Sequence, residues 1–379
     1  MMQRNSNALS TFMFYALTII PFFYASAQLT NLQLLYGLKD ILFLLIFLLL
    51  LLASHNKVIW LSVAYFLALN IYGLILSNES LLLYILSVRE LLFYPLLGIL
   101  AGSYISKNRS PEYVYRFLKL YTLFTLLFGI VFVEISYGPT NRLSSFWDRE
   151  HEPGIIAAIT IIFTVYSKNR ALGKIILISI CVLLILLSGS RSALVAVIMT
   201  LVIIEAVNLN FSRVLLFVVI AITSFIFFET LTVANRSIDH NLIARILQYE
   251  LAWISIKNSS FLGIGPDKYG VLGNYVVEYC YSGMCTTTMD SSIIKYVVNY
   301  GLFFVLIAIW LLYRAYIFSV RSTDKRNTNV VMGVFYASLI FGLLTGKLGA
   351  FPLNIIFYMT IGIILQLGAT KSKAMEEKI

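Results

Sequence analysis

This chain of 379 residues contains few charged residues, few cysteines and few histidines: 12% of its residues are Asp, Glu, Lys or Arg, and it has 3 Cys and 3 His. Soluble domains average about 25% charged and about 45–50% apolar residues, whereas 60% of this chain is hydrophobic. One globular core stops growing near about 250–300 residues, so a chain of this length could not hide so much apolar surface from water. The composition therefore excludes a soluble globular protein.

The motifs of several common chemistries are also absent. The chain has no Cys-x-x-Cys, no His-Glu-x-x-His, no acidic metal pair and no P-loop. Such patterns bring together the ligands of a metal ion or the backbone donors that hold a nucleotide. We therefore predict no metal site, no cofactor and no nucleic-acid partner.

Long apolar runs are what the chain has in abundance. A membrane-spanning helix needs about 20 mostly apolar residues, and the hydropathy predicts an all-α polytopic membrane protein of about twelve transmembrane helices in one domain, residues 1–379. The predicted segments are 11–27, 38–53, 58–76, 81–105, 114–136, 154–167, 174–188, 192–207, 213–230, 291–313, 330–346 and 350–368. The first ends in Ala25-Ser26-Ala27 and so has the form of a signal peptide, but we interpret it as a span.

The basic residues indicate how these spans are oriented. Lys and Arg are enriched in cytoplasmic loops, and 17 of the 28 basic residues fall on one set of alternating segment ends. Both termini are therefore predicted to be cytoplasmic. Two polar loops remain for the opposite side, at residues 137–153 and 230–290, and the longer one is predicted to carry an amphipathic helix over 241–257 that lies on the membrane surface.

The longer loop also contains two of the three cysteines. Cys280 and Cys285 bound the segment CYSGMC. Outside the cytoplasm such a pair can form a local disulfide. Two unpaired thiols are the alternative, and the sequence leaves both open.

Arginines on the opposite side of the membrane suggest a ligand. They include Arg142, Arg191 and Arg245, with Arg89 inside a predicted span. A guanidinium group binds phosphate oxygens bidentately and keeps its charge at low dielectric, so such a set suits a lipid-linked diphosphate. Pairing with nearby acidic residues or lipid headgroups is the alternative for any one of them.

Arg191 carries the strongest individual signal. The residues Ser188-Gly189-Ser190-Arg191-Ser192 interrupt two apolar runs, which predicts that a helix starts at this arginine. The free N–H groups of a helix start would add to the attraction that Arg191 exerts on an anion.

Several side chains of the same side could act as a general base: Asp148, Glu150, His151, Glu152, Asp239, His240 and Asp290. Asp290 precedes the last third of the apolar segments, in Thr288-Met289-Asp290-Ser291-Ser292. An Asp at a helix start also caps the helix without any functional role, so capping and catalysis both explain it.

The order of these motifs resembles the superfamily of O-antigen polymerases (Wzy) and O-antigen ligases, which are integral membrane glycosyltransferases. The resemblance covers about residues 140–305. The elements that carry it are Glu152-Pro153, Leu187-Ser188-Gly189-Ser190-Arg191-Ser192, Arg245 followed by Trp253, Leu262-Gly263-Ile264-Gly265-Pro266, Asp290 and Asn299-Tyr300-Gly301-Leu302.

The resemblance implies a GT-C-type polymerase/ligase fold in the bacterial inner membrane, with the active site facing the periplasm. It also implies metal-independent glycosyl transfer between undecaprenyl-diphosphate-linked oligosaccharides. Arg191 and Arg245 would hold the diphosphate, with Arg142 and Arg89 as further candidates, and Asp290, Glu152 or Glu150 would deprotonate the acceptor hydroxyl. Expected partners are membrane lipid, a chain-length-determinant (Wzz-type) co-polymerase and the flippase of the pathway.

Two alternatives remain beside a polymerase. Ligases of the superfamily carry a histidine where this chain has Asp290, which favours polymerisation over transfer to lipid A–core. A flippase or other transporter would show repeated halves and broken helices. The sequence shows neither, and its long outer loop is more typical of an enzyme.

Overall fold

The computed structural model of the protein describes residues 11–13, 33–53, 81–131, 133–136, 142–145, 152–167, 171–231, 279–281, 284–286, 291–322, 324–345 and 353–376, together with scattered residues between 60 and 71 and between 246 and 263. For some of these residues, including all the strands, it describes the backbone alone.

Within these ranges the chain forms ten long helices and four short strands. The helices are α1 (Gln33–Ala53), α2 (Leu81–Asn108), α3 (Pro111–Val131), α4 (Glu152–Val165), α5 (Ala171–Leu187), α6 (Arg191–Val207), α7 (Phe211–Leu231), α8 (Ser292–Arg321), α9 (Lys325–Leu344) and α10 (Leu353–Glu376). The strands are β1 (Val133–Ser136), β2 (Arg142–Ser145), β3 (Tyr279–Tyr281) and β4 (Met284–Thr286).

The helical architecture predicted from hydropathy is confirmed in the described part of the chain. Ten of the twelve predicted segments coincide with these helices, and the segments 11–27 and 58–76 lie mostly outside the described residues. One boundary is wrong: the segment 114–136 was predicted as apolar helix throughout, but α3 ends at Val131 and Val133–Ser136 is a strand. Val133 and Ile135 are β-branched residues in alternation with polar ones, which is the period of a strand.

The strands form two antiparallel hairpins beside the helices. In the first, Val133 of β1 lies opposite Ser145 of β2, so part of the predicted loop 137–153 is ordered by pairing. In the second, β3 pairs with β4 within the longer loop. Both hairpins lie in segments that connect helix ends, where they add to the helical fold without entering it.

Two described helices are long and apolar enough to cross a membrane, over Ser292–Val320 and Lys325–Leu344. Shorter apolar helices cover Ile41–Leu52, Pro153–Val165, Ala171–Leu187, Phe211–Ile220 and Leu353–Leu367. Large apolar side chains such as Leu306, Ile309 and Leu215 are exposed along α8 and α7. A helical protein with apolar outer faces is compatible with a lipid environment.

Helix α9 occupies the centre of the bundle and packs antiparallel to α4 and α6. Ile162 of α4 and Ile204 of α6 both approach Gly333 of α9, while Asn208 lies 3.4 Å from Asn329, nearer the start of α9. The Arg326 Nε donates to the backbone oxygen of Tyr166, just after α4, at 2.7 Å. Both neighbours therefore run in the opposite direction to α9, and all three have buried faces at the contact.

Helices α2 and α10 make the closest backbone contact, in parallel. A Cβ at Gly102 would overlap the carbonyl oxygen of Met359, and one at Gly362 would overlap that of Ile99. Four residues before Gly102, Gly98 lies against the Cβ of Tyr358 at 2.7 Å, which completes a Gly-x-x-x-Gly pattern. Small residues at this spacing let two helix backbones approach, which is how helices associate when lipid removes the hydrophobic drive between them.

Many of the basic residues used to predict orientation lie at one end of the bundle, which we call the basic end. They are Lys107, Arg109, Arg116, Lys119, Lys174, Arg213, Arg321, Lys325 and Arg326. Several bind helix C-termini there: Lys174 donates to the oxygen of Val165 at 3.2 Å, and Lys325 to that of Ser319 at 3.0 Å. These contacts complement the partial negative charge of a helix C-terminus.

The contact between α2 and α10 generates a stability prediction. Gly102→Val places a branched side chain against the Met359 carbonyl, and overpacking of this kind costs about 1–3 kcal/mol or more. We expect a marked loss of folded protein, measured as the fraction that remains monodisperse in size-exclusion chromatography after heating in detergent.

Gly173→Ala is the matched control, because no atom lies within 4 Å of the Cβ that it would add. Alanine is favoured over glycine inside a helix by about 0.5–1 kcal/mol, so this variant should be at least as stable as the parent. Equal heat resistance of the two variants would contradict the packing described for α2 and α10.

Candidate functional site

Three helices begin around the C-terminal end of α9, at the end of the bundle opposite the basic end, which we call the site end. From Ile162 to Gly154 is 8 residues along α4, and from Gly333 to Phe341 is 8 residues along α9. Because both helices rise about 1.5 Å per residue and run antiparallel, the start of α4 lies level with Phe341. The same count from Ile204 brings the start of α6 to the level of Thr345.

The start of α8 lies at the same level and contacts α9 directly. The Ser292 amide donates to the oxygen of Thr345 at 2.9 Å, and the Ser291 hydroxyl donates to that of Gly342 at 3.3 Å. The starts of α4, α6 and α8 are therefore neighbours of one short stretch of α9. Each helix start carries partial positive charge from its first N–H groups, so this end of the bundle favours anions.

Helix α6 begins as predicted, at Arg191. Ser190 occupies the N-cap position, but its side chain makes no capping hydrogen bond, and Gly189 before it has a φ of 61°. The left-handed conformation of Gly189 lets the chain reverse tightly between α5 and α6. Ser188 and Ser190 are fully buried, while Arg191 is half-buried at the helix start.

The turn between α5 and α6 packs against the first turn of α4. A Cβ at Gly154 would lie 2.7 Å from the Cβ of Ser190 and 2.8 Å from the Oγ of Ser188. Glycine at this position therefore permits the contact. It brings the Glu152-Pro153 element, which begins α4, beside the serine–arginine element, although 38 residues separate Glu152 from Ser190 in the sequence.

Ser291, and not Asp290, caps helix α8. The Ser291 side chain accepts a hydrogen bond from the Ile294 amide at 3.3 Å, with a φ of −92° and a ψ of 116° at the cap. The interpretation of Asp290 as the N-cap is therefore wrong, because a cap forms at the residue whose oxygen reaches the N3 amide. Asp290 itself lies outside the described residues, but its Cα follows within about 3.8 Å of that of Ser291.

Helix α8 is broken at Gly301, where φ is 65° and ψ is −155°. Only glycine adopts this region without strain. We expected no broken helix from the sequence, and that expectation is wrong. Residues before the break, such as Val298 and Tyr300, are buried, whereas Leu302 and Phe303 after it are exposed, so α8 passes at this point from a protein-enclosed segment to an outward-facing one.

The break is held by the segment that follows the surface helix of the long loop. The Leu302 amide, which the break frees from the helix, donates to the oxygen of Phe261 at 2.9 Å. A Cβ at Gly263 would lie 2.5 Å from the oxygen of Asn299 and 2.7 Å from the nitrogen of Gly301. The glycines Gly263 and Gly301, which belong to separate motif elements of the sequence, thus meet backbone to backbone.

Asn299, beside this break, is the polar residue that the sequence reasoning did not assign. It is 1% exposed, and within the described part of the chain neither atom of its side-chain amide has a hydrogen-bond partner. An unpaired buried polar group costs about 1–3 kcal/mol. A neutral polar group that both donates and accepts, such as a hydroxyl, would satisfy it. The only signal in the sequence was an Asn inside an apolar segment.

The described residues between 246 and 258 are helical, as predicted for the surface helix. Ile246, Tyr249 and Trp253 are exposed on one face, and Ala252 on another face is buried. The helix ends by a hydrogen bond from the Phe261 amide to the oxygen of Ile256 at 3.0 Å. An exposed apolar face on such a helix suits a membrane surface.

The structure describes the predicted site residues to different extents. Arg191 is described fully, Glu152 and Arg142 are described by backbone alone as the first residues of α4 and β2, and Arg89 likewise lies within α2. Glu150, Arg245 and Asp290 lie outside the described residues. Among these residues the fold brings together the backbones of Glu152 and Arg191, with Asp290 one residue from Ser291.

No protein-family model matches this chain, and no curated protein matches it. Among the described residues, no group of three or more His, Cys, Asp or Glu side chains comes close enough together to hold a metal ion. The chemistry that the site end itself offers is anion binding, from helix starts and Arg191, next to chain positions that carry carboxylates.

The capping arrangement at α8 separates two roles that the sequence left mixed. Ser291→Ala removes the hydrogen bond to Ile294 and the one to Gly342, and loss of a cap costs about 1 kcal/mol. We therefore expect Ser291→Ala to lower the melting temperature in detergent. Asp290→Asn should leave it unchanged, and an equal or larger drop for Asp290→Asn would return the cap to the aspartate.

Proposed function

We propose that this protein is a polymerase of lipid-linked oligosaccharide repeat units, of the O-antigen type, that works on the outer face of the bacterial inner membrane. The observation that carries the proposal is the convergence of the α4, α6 and α8 starts around the end of α9. This convergence joins three motif elements of the resemblance, at Glu152, Arg191 and Asp290, which the sequence separates widely. It supports a single site that combines cationic and carboxylate groups.

The donor in this proposal is the growing glycan on undecaprenyl diphosphate. Arg191 and the N–H groups of the neighbouring helix starts would bind the diphosphate, with Arg245, Arg142 and Arg89 as further contributors. As the bond between the anomeric carbon and the phosphate oxygen breaks, negative charge develops on the leaving diphosphate. Preorganised donors stabilise that charge in a water-poor site and so lower the barrier.

The acceptor is a hydroxyl at the non-reducing end of a new repeat unit. A carboxylate takes its proton while the oxygen attacks the anomeric carbon, which forms the new glycosidic bond. Asp290 is the first candidate for this base, and its release from a capping role favours it. Glu152 and Glu150 are the other candidates, because they precede or begin α4 beside the Arg191 turn.

The break in α8 is the observation that favours the runner-up, a transporter of lipid-linked glycans, since discontinuous helices are typical of transporters. The break is, however, occupied by the chain itself: Phe261 accepts from the freed Leu302 amide, and Gly263 fills the remaining space. A fastened break supports an enzyme with a docked loop better than a mobile transport helix.

Arg191→Ala should abolish polymer formation. The measurement is elongation of purified lipid-linked repeat units by the purified protein in detergent, together with the surface-glycan ladder of cells. We expect single repeat units in place of a ladder, because removal of a charge-stabilising donor costs about 10²–10³ in rate.

Arg116→Ala is the matched control, because Arg116 is an exposed arginine at the basic end. It should leave the ladder unchanged. An unchanged ladder in Arg191→Ala would remove the assigned role, and purified parent protein that fails to elongate in detergent would turn the assignment towards transport, which needs two compartments.

The base is identified by three isosteric substitutions, Asp290→Asn, Glu152→Gln and Glu150→Gln. The variant that removes the base should lose about 10²–10⁴ in elongation rate, because general-base catalysis contributes that much. The same variant should retain binding of the lipid-linked donor, measured by its protection of the protein against heat. Near-normal rates for all three would show that none of these carboxylates is the base.

A further inference from the structure

The hairpin of β3 and β4 places two of the three cysteines directly opposite each other. In its register Tyr279 lies opposite Thr286, Cys280 opposite Cys285 and Tyr281 opposite Met284. The residues between the last pair are Ser282 and Gly283. A connection of two residues that includes glycine is the usual length and composition for a tight hairpin, and it specifies the register of the strands.

This register meets the backbone requirement of a disulfide. Directly opposed residues of an antiparallel pair have Cα atoms about 4.5–5.5 Å apart, whichever of the two kinds of pair they form. Disulfide-bonded cysteines have Cα atoms about 4.4–6.8 Å apart. Opposed residues also extend from the same face of a two-stranded sheet, so a bond between them needs no change in strand register.

We propose that Cys280 and Cys285 form an intrachain disulfide that closes this hairpin. The two thiols lose two protons and two electrons as the S–S bond forms. The electrons pass to the disulfide of a thiol–disulfide oxidoreductase, which becomes a dithiol. Such oxidation takes place outside the cytoplasm, so this inference rests on the outward-facing loop of the proposed function.

The cross-link lies close to the candidate site along the chain. From Thr286 to Ser291 is 5 residues, which span at most about 18 Å when fully extended. The hairpin is therefore tethered beside the start of α8, and Asp290 belongs to the tether. An isolated two-stranded hairpin is marginally stable in water. A disulfide across its middle pair would keep the hairpin formed and restrict the segment that carries Asp290.

The number of cysteines makes the test a count of labels. Cells are quenched in acid, the protein is denatured in detergent and free thiols are tagged with a maleimide-linked polymer that shifts the gel band. The chain has 3 Cys, and Cys181 is free and buried in α5. We expect one tag without reductant, on Cys181, and three tags after reduction. Three tags without reductant would overturn the proposal.

Single substitutions identify the pair. Cys280→Ser should give two tags without reductant, because Cys285 loses its partner, and Cys181→Ser should give none. A single tag in Cys280→Ser would show that Cys285 pairs elsewhere and would overturn the proposal. So would a covalent dimer on a non-reducing gel of the parent protein.

The tag count and the polymerase assay fail independently. Three unreduced tags together with a lost ladder in Arg191→Ala would reject the disulfide and leave the proposed function standing. One unreduced tag together with a normal ladder in Arg191→Ala would reject the function and leave the disulfide standing.

Discussion

The antiparallel packing of α9 against α4 and α6 is the interaction on which the described structure depends. Its tightest point is Gly333, where a methyl group would overlap the side chain of Ile162. Between apolar helices in lipid there is no hydrophobic drive, so close contact and a few polar bonds supply the stability. The same contact sets the axial register of the three helices and thereby brings their functional ends to one level.

Backbone hydrogen bonding explains why the departures from regular helix occur where they do. Away from water each freed amide or carbonyl needs a protein partner. At Gly301 the partner is the oxygen of Phe261, which comes from the long loop. Phe261 itself has a φ of 64°, a conformation that costs a bulky residue of order 1–3 kcal/mol. The fold therefore accepts strain in the loop in order to satisfy the broken helix.

The helices could be predicted well because their signal is local. Apolar runs of helical length, the basic residues between them and the serine–glycine–serine turn before Arg191 each act over a few residues. The helix start at Arg191 and the surface helix after residue 245 follow from such patterns. The strand Val133–Ser136 was missed because a short apolar run after a helix reads equally well as its last turn.

The candidate site could be predicted only in part. Glu152, Arg191 and Asp290 were identified one by one from residue type and position, but nothing local showed that the starts of α4 and α6 touch. Gly154 was overlooked because a glycine in a first helical turn has no distinctive local meaning. The cap at Ser291 was assigned to its neighbour because Asp and Ser are equally good N-cap residues, and only the backbone geometry distinguishes them.

The sequence by itself determined that the chain is helical and apolar, where its helices lie and which of their ends are basic, because these depend on the composition of each short segment. The tertiary structure alone decided that Gly154 meets Ser190, that Gly263 meets Gly301 and that Asn299 is buried with its amide unpaired. Those facts depend on contacts between residues tens of positions apart, and such contacts are set by how closely glycines allow two backbones to approach.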